Sequence, residues 1–278
     1  MFGFYDSHFL FFGLEISYYG LLIAVGMAVG VFIACKIAKK RGLKGDDIII
    51  LALYVLPLSI LGARTYFVIF SEQTYTFWQF FEIWKGGMAI YGGVIGGALG
   101  VGLYCLIHKK NFLSVADIAV APLLFGQGLG RIGCYFSDCC YGIEVTNPAA
   151  QWFPLCTQIN GVWHLSTFFY ESFLDLILCG VFIFLICKKI KTPGIMMSLY
   201  FIGYGTIRCI IETFRGDSLM LGSVKVSQLL SGLLIAAGVA LLVAILLLKR
   251  RKEKKAEDKR ESVADNEAEE DSASEKQV

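Results

Sequence analysis

The chain has 278 residues, of which 56% are hydrophobic and 17% charged, and its mean hydropathy is +0.64. That is too apolar for an ordinary soluble domain. Lys and Arg (25) nearly balance Asp and Glu (23) for a formal net charge of +2, and no nucleic-acid partner is expected.

Apolar stretches of about 20 residues, the length that crosses a bilayer, recur at 16–36, 47–70, 86–107, 114–134, 168–187, 194–213 and 222–248. The polar breaks between them leave no room for a separate soluble domain. Residues 1–248 therefore read as one all-α integral membrane domain of about seven transmembrane helices. The first stretch has no preceding basic region and no small-residue cleavage site, so it is not read as a signal peptide. Lys36, Lys39, Lys40, Arg41 and Lys44 follow the first stretch, and Lys109 and Lys110 the third. Lys188, Lys189 and Lys191 follow the fifth, and Lys249, Arg250, Arg251 and Lys252 the seventh. A basic cluster after every odd-numbered stretch places the N-terminus outside and the C-terminus in the cytoplasm.

Between the second and third stretches, Trp78, Phe80, Phe81 and Trp84 read as an interfacial element with its rings at headgroup depth. Residues 249–278 read as a disordered, charged cytoplasmic tail whose basic start rests on anionic membrane lipid.

The third stretch carries Gly92, Gly93, Gly96, Gly97 and Gly100. Small residues four apart let helices approach backbone to backbone in lipid. Gly92 and Gly93 have a second reading, in which they make room for a lipid headgroup. Gly128-x-Gly130-x-x-Gly133 matches the dinucleotide fingerprint letter for letter. That fingerprint needs a strand before it and a helix after it, and here it ends a membrane stretch. Its glycines are expected to unwind the helix end, so that backbone N–H groups face an anion.

Arg64, Asp117, Arg131, Glu171, Asp175, Arg208 and Glu212 lie within or at the ends of apolar stretches. Charge in lipid is expensive, so each is a functional candidate, weighed against simple pairing between helices. Asp117 and Asp175 read as structural. Arg64, Arg131, Arg208 and Arg215 suit a phosphodiester, which guanidiniums grip through paired N–H donors. Arg208, Glu212 and Arg215 follow i, i+4, i+7 spacing and share one helix face. An Arg–Glu pair at that spacing is either a structural lock or a way of fixing Arg208 while Glu212 accepts a proton.

Several segments, in order, resemble a known family. They are Tyr18-Tyr19-Gly20-Leu21, Leu61-Gly62-Ala63-Arg64-Thr65-Tyr66, Trp84-Lys85-Gly86-Gly87-Met88-Ala89-Ile90-Tyr91-Gly92-Gly93 and Gly126-Gln127-Gly128-Leu129-Gly130-Arg131-Ile132-Gly133. Tyr170-Glu171, Tyr204-Gly205 through Arg208, Glu212, Phe214 and Arg215, and Ser227-Gln228-Leu229-Leu230-Ser231 complete the set. On these motifs the chain resembles the prolipoprotein diacylglyceryl transferases from about Tyr18 to Ser231.

The resemblance implies a seven-span enzyme of the bacterial cytoplasmic (inner) membrane. Such an enzyme moves diacylglyceryl from phosphatidylglycerol to the lipobox cysteine thiol in a prolipoprotein signal peptide. A thioether forms and glycerol phosphate leaves, with no cofactor. Because the nucleophile belongs to the substrate, the protein has two tasks. It must stabilise the departing phosphate and help form a thiolate, since a thiol's pKa is near 8.5. Arg131, with Arg64 and Arg215, is expected on the phosphate, with Gly92 and Gly93 lining the headgroup. Arg208, Glu212, Tyr91 and Tyr19 are expected in the chemistry, with Tyr91 or Glu212 handling the proton.

Three positions depart from the family pattern. Tyr91 stands where the family has His, Cys134 where it has Asn, and Cys139, preceded by Asp138, where it has Glu. They leave open a family member that binds phosphatidylglycerol without transfer. A lipid or solute transporter built on glycine-broken helices is a further alternative.

Nine cysteines are many for this length. Cys35, Cys105, Cys179, Cys187 and Cys209 lie in apolar stretches and read as packing residues. Cys134, Cys139, Cys140 and Cys156 admit a disulfide, packing, a catalytic thiol, or a metal site with His164 as fourth ligand. Their spacing is no standard zinc pattern, and no metal centre is expected.

Overall fold

The computed structural model describes residues 8–11, 14–41, 44–71, 73–83, 86–187, 192–216, 220–221 and 224–275. Seven helices among them are long and apolar enough to cross a membrane. They are α1 (Tyr18–Lys40), α2 (Gly45–Phe70), α4 (Ile90–Ile107), α5 (Phe112–Phe136), α6 (Thr167–Cys187), α7 (Ile195–Thr213) and α8 (Val226–Glu275). The short α3 (Phe77–Phe80) lies between α2 and α4. Its exposed Phe77 and Trp78 fit the interfacial reading, while Trp84 lies outside the described residues. Three two-stranded antiparallel hairpins join the helical frame: β1 (His8–Phe11) with β2 (Leu14–Ser17), β3 (Cys156–Ile159) with β4 (Val162–Leu165), and β5 (Met220–Leu221) with β6 (Val224–Lys225).

Local chemistry sets the helix starts. The Ser17 side chain accepts from Gly20 N at 3.0 Å and Asn111 Oδ1 from Ser114 N at 3.1 Å, so each hydroxyl or amide oxygen satisfies a donor the helix leaves open. The start of α7 borrows its cap from another helix. Asp117 of α5 accepts from Gly194 N and Met197 N, each at 2.9 Å, and from Arg41 Nη1 at 3.1 Å. Gly194 takes φ +90°, where a Cβ would be strained and would meet Ile245. Asp117 is thus a structural residue, as its position near a helix end implies.

Small residues govern the closest crossings. A Cβ on Gly62, Gly92 or Gly96 would strike the backbone of the partner helix, so α2 and α4 touch along bare main chain. Ser59 Oγ also donates to Gly93 O across this seam at 2.9 Å. Helix α5 is the most enclosed of the seven. Its Ile118, Val120, Ala121 and Leu124 form the centre of a core shared with Ala34 and Ile37 of α1, Phe182 of α6, and Met196 and Tyr200 of α7. Leu53, Leu106 and Phe32 face outward, as expected where lipid replaces water.

One expectation needs correction. The glycines of the false dinucleotide motif do not unwind α5, which stays helical to Phe136. Gly128 instead admits Leu176 and Ser172 of α6, and Gly133 admits the ring of Tyr19. Helix α8 runs on past residue 249 to Glu275. Lys, Glu and Ala favour helix, and pairs such as Lys249 Nζ to Glu253 Oε1 at 3.7 Å support it on the surface.

Candidate active site

The ends of α5 and α7 and the starts of α1, α6 and α8 meet at one end of the bundle. Arg131, one turn before the end of α5, directs Nη2 to Glu171 Oε1 at 2.9 Å. Arg208 of α7 reaches the other oxygen of the same carboxylate, Nη1 to Oε2 at 2.9 Å. Its second amino nitrogen lies 3.0 Å from Glu212 Oε2 and 3.4 Å from Ser227 Oγ of α8. Arg215 Nη1 lies 3.5 Å from Glu212 Oε2. Both carboxylates are sealed, Glu171 at 1% and Glu212 at 0% side-chain exposure, while the three arginines keep 11–15%. The acids are thus more deeply enclosed than the arginines.

Glu171 and Glu212 are bound differently. Glu171 accepts aligned hydrogen bonds from Arg208. Neither oxygen of Glu212 has an aligned hydrogen bond among the described residues, despite two guanidiniums in ion-pair range. Arg208 spends its directed N–H groups on Glu171 and Ser227, so Glu212 is held by charge and keeps lone pairs open. The Lys225 ammonium closes this corner by donating to Glu212 O at 2.7 Å and Arg215 O at 3.0 Å.

The loop after α5 wraps back over the cluster. Gly142 pairs with Arg215 as an isolated bridge, and Ile143 N donates to Phe214 O at 2.9 Å. Arg131 Nη1 lies 3.3 Å from Cys140 Sγ. Thiol hydrogen bonds from Cys134 and Cys139, then the charge of Arg131, hold the Cys140 thiol well below its ordinary range. A hydrogen bond with Cys134 works to lower Cys139, but the one with Cys140 and burial outweigh it and push Cys139 up to about 11. Tyr19 shares this neighbourhood, within electrostatic reach of Arg131 and all three thiols.

The structure thus gathers Arg131, Arg208, Glu212, Arg215 and Tyr19 and leaves Arg64, Tyr91, Gly92 and Gly93 elsewhere. Arg64 is 4% exposed, and its N–H groups are taken by carbonyls: Phe80 O at 3.0 Å, Gly86 O and Gly87 O at 2.8 Å, and Gln79 O at 2.6 Å. Its charge holds Gln79, Phe80, Gly86 and Gly87 together, beside a cavity of about 290 Å³ that it lines with Phe67, Tyr75 and Glu82. Tyr91, 46% exposed on α4, has its ring 6.1 Å from Tyr66. Among the described residues it makes no hydrogen bond with Arg131, Arg208 or Glu212. Gly92 and Gly93 are occupied by the α2 seam.

Sequence reasoning singled out Glu171 as an in-membrane acid but missed its place as shared counter-ion of Arg131 and Arg208. It also missed Tyr204, which lies among Glu171, Arg131 and Arg208. Tyr204 stacks on Tyr200 with centroids 5.6 Å apart, and Tyr200 Oη accepts from Gln127 Nε2 at 2.9 Å. The signal available was the run of aromatics one turn apart leading to Arg208. Cys156 and His164 stand apart from Cys134, Cys139 and Cys140, Cys156 buried in β3 and His164 against Tyr141 and Gly142 O.

Comparison with known proteins gives the family. Residues 7–244 match the family described as prolipoprotein diacylglyceryl transferase. The phosphatidylglycerol–prolipoprotein diacylglyceryl transferase 1 of Clostridium perfringens is 36% identical over 236 residues, covering 82% of this chain and 89% of the relative. The Finegoldia magna enzyme of the same name is 37% identical over 237 residues, covering 84% and 92%. That of Clostridium botulinum (strain Loch Maree) is 38% identical over 224 residues, covering 78% and 88%. With its seven apolar helices, this bacterial multi-pass membrane protein belongs to the prolipoprotein diacylglyceryl transferase family.

Proposed function

We propose that the protein transfers the diacylglyceryl group of phosphatidylglycerol to the cysteine thiol of prolipoprotein signal peptides, at the outer side of the bacterial cytoplasmic (inner) membrane. The observation that carries this reading is the convergence of Arg131, Arg208 and Arg215 in front of two buried carboxylates at one end of the bundle. In the reaction, the substrate sulfur attacks the glycerol carbon that bears the phosphoester oxygen. The C–S bond forms as the C–O bond breaks, and glycerol phosphate departs with the bonding pair. Arg131 and Arg208 donate to the phosphate oxygens and stabilise the charge that collects there. Glu171 keeps the two guanidiniums parked and oriented until the phosphate shares them.

The thiol proton goes to Glu212. Its oxygens have no aligned hydrogen bond among the described residues and lie within reach of Arg208 and Arg215, which face the phosphate. Tyr91, packed near Tyr66, serves the reading as part of the lipid-facing wall. The test is transfer in proteoliposomes of phosphatidylglycerol with a lipobox peptide, read as thioether-lipidated peptide and released glycerol phosphate. Full transfer by Arg131→Ala would overturn the phosphate assignment, and the absence of lipidated peptide from the unaltered protein would overturn the activity.

A further inference from the structure

We infer that Cys134, Cys139 and Cys140 form a binding site for a soft d¹⁰ metal ion of the zinc class, beside the arginine cluster and separate from the chemistry proposed above. Their three sulfurs lie within 4.8 Å of one another, although four residues lie between the first and the second along the chain. Zinc–thiolate bonds of about 2.3 Å put three sulfurs around one ion roughly 4 Å apart, so a contraction of under about 1 Å closes the site.

The backbone is built for this convergence. Helix α5 ends at Phe136, and both Ser137 N and Cys139 N turn back to Cys134 O, at 3.3 and 3.2 Å. Asp138 and Cys140 adopt φ of +45° and +60°, a region that L residues rarely enter. These two left-handed residues fold Cys139 and Cys140 over the last turn that carries Cys134. Cys134 is buried and the other two are partly open, which leaves an approach for an ion and a water as fourth ligand. Arg131 Nη1, 3.3 Å from Cys140 Sγ, offsets the negative charge that three thiolates carry around a divalent ion. Three thiolates select soft ions over magnesium or calcium. A disulfide would use two of the sulfurs and strand the third in the same pocket.

Binding replaces the protons the sulfurs still carry with one ion and needs no oxidant. The test uses the full chain in detergent, reduced and stripped with a chelator, then titrated with Cd²⁺ and separately with Zn²⁺. One equivalent of Cd²⁺ is expected, with a cadmium–thiolate charge-transfer band in the ultraviolet. Cys156→Ser should bind as the unaltered chain does. The Cys139→Ser/Cys140→Ser pair should lose the band and bind Zn²⁺ more than about 100-fold more weakly, since loss of a group that merely hydrogen-bonds a metal ligand costs up to that much. These two positions are partly exposed, and a thermal melt confirms that the variant folds. The proposal is overturned if the reduced, unaltered chain shows no band. It also falls if the double variant keeps the stoichiometry, or if peptide mapping of the unreduced protein finds any two of the three joined by a disulfide. No activity is read, so the outcome is separate from that of the transferase reading.

Discussion

Arg208 bridges two buried carboxylates, with Nη1 2.9 Å from Glu171 Oε2 and Nη2 3.0 Å from Glu212 Oε2. One guanidinium thereby ties α6 to its own helix α7. A lysine supplies a point charge and cannot span both acids. Arg208→Lys is therefore expected to lower kcat/KM for phosphatidylglycerol by about 100- to 1,000-fold, the loss seen when one oriented donor leaves a charge-stabilising site. Initial rates of peptide lipidation over a series of lipid fractions check this.

Glu171→Gln removes the charge that two guanidiniums share. Breaking a buried ion pair on one side costs about 3–5 kcal/mol, so the detergent-solubilised variant should melt at a markedly lower temperature. Added phosphatidylglycerol should recover part of that loss by supplying an anion. A melt unaffected by the substitution would contradict the shared-counter-ion role.

Arg64 separates a loop-organising arginine from a phosphate-binding one. Arg64→Ala strands the carbonyls of Gln79, Phe80, Gly86 and Gly87. It should destabilise the protein by roughly 3 kcal/mol or more, while the folded fraction keeps its KM for phosphatidylglycerol. Chemical denaturation paired with lipid kinetics tests both halves.

The α2–α4 seam makes a steric prediction. A Cβ on Gly96 would meet the carbonyl of Leu58, whereas one on Gly102 in the same helix meets nothing within 4 Å. Gly96→Ala should cost about 1–3 kcal/mol as the helices are forced apart. Gly102→Ala should be neutral or stabilising, by up to about 1 kcal/mol of helix propensity. Parallel melts of the two variants decide it.

Asp117 lies among the ends of α1, α5 and α7, bound to Arg41, Gly194 N and Met197 N. Asp117→Asn should cost about 2 kcal/mol through a weakened cap and a lost charge pair and leave the transfer rate per folded molecule unchanged. A lower rate at equal folding would place Asp117 in the chemistry.

The chain alone determined the seven spans, because each is a run of apolar residues whose length the bilayer dictates, and such a signal is local. It also marked the charges worth explaining, because lipid penalises every one of them. The i, i+4, i+7 face of Arg208, Glu212 and Arg215 was legible for the same reason, since helix geometry converts spacing directly into contact. Only the tertiary structure decided which charge meets which. Arg64 and Arg131 look alike as arginines at the ends of apolar runs, yet one is surrounded by loop carbonyls and the other by Glu171 and a thiol. That difference lies in the described residues 73–83 and 86–89 and in the segment 137–166, which depend on partners distant in sequence. Tyr91 was drawn to the site by its place in a motif, while helix packing near Tyr66 set it on the exposed face of α4. The three clustered sulfurs belong to the same class of fact. Two left-handed residues after α5 bring them together, and no spacing rule announces them.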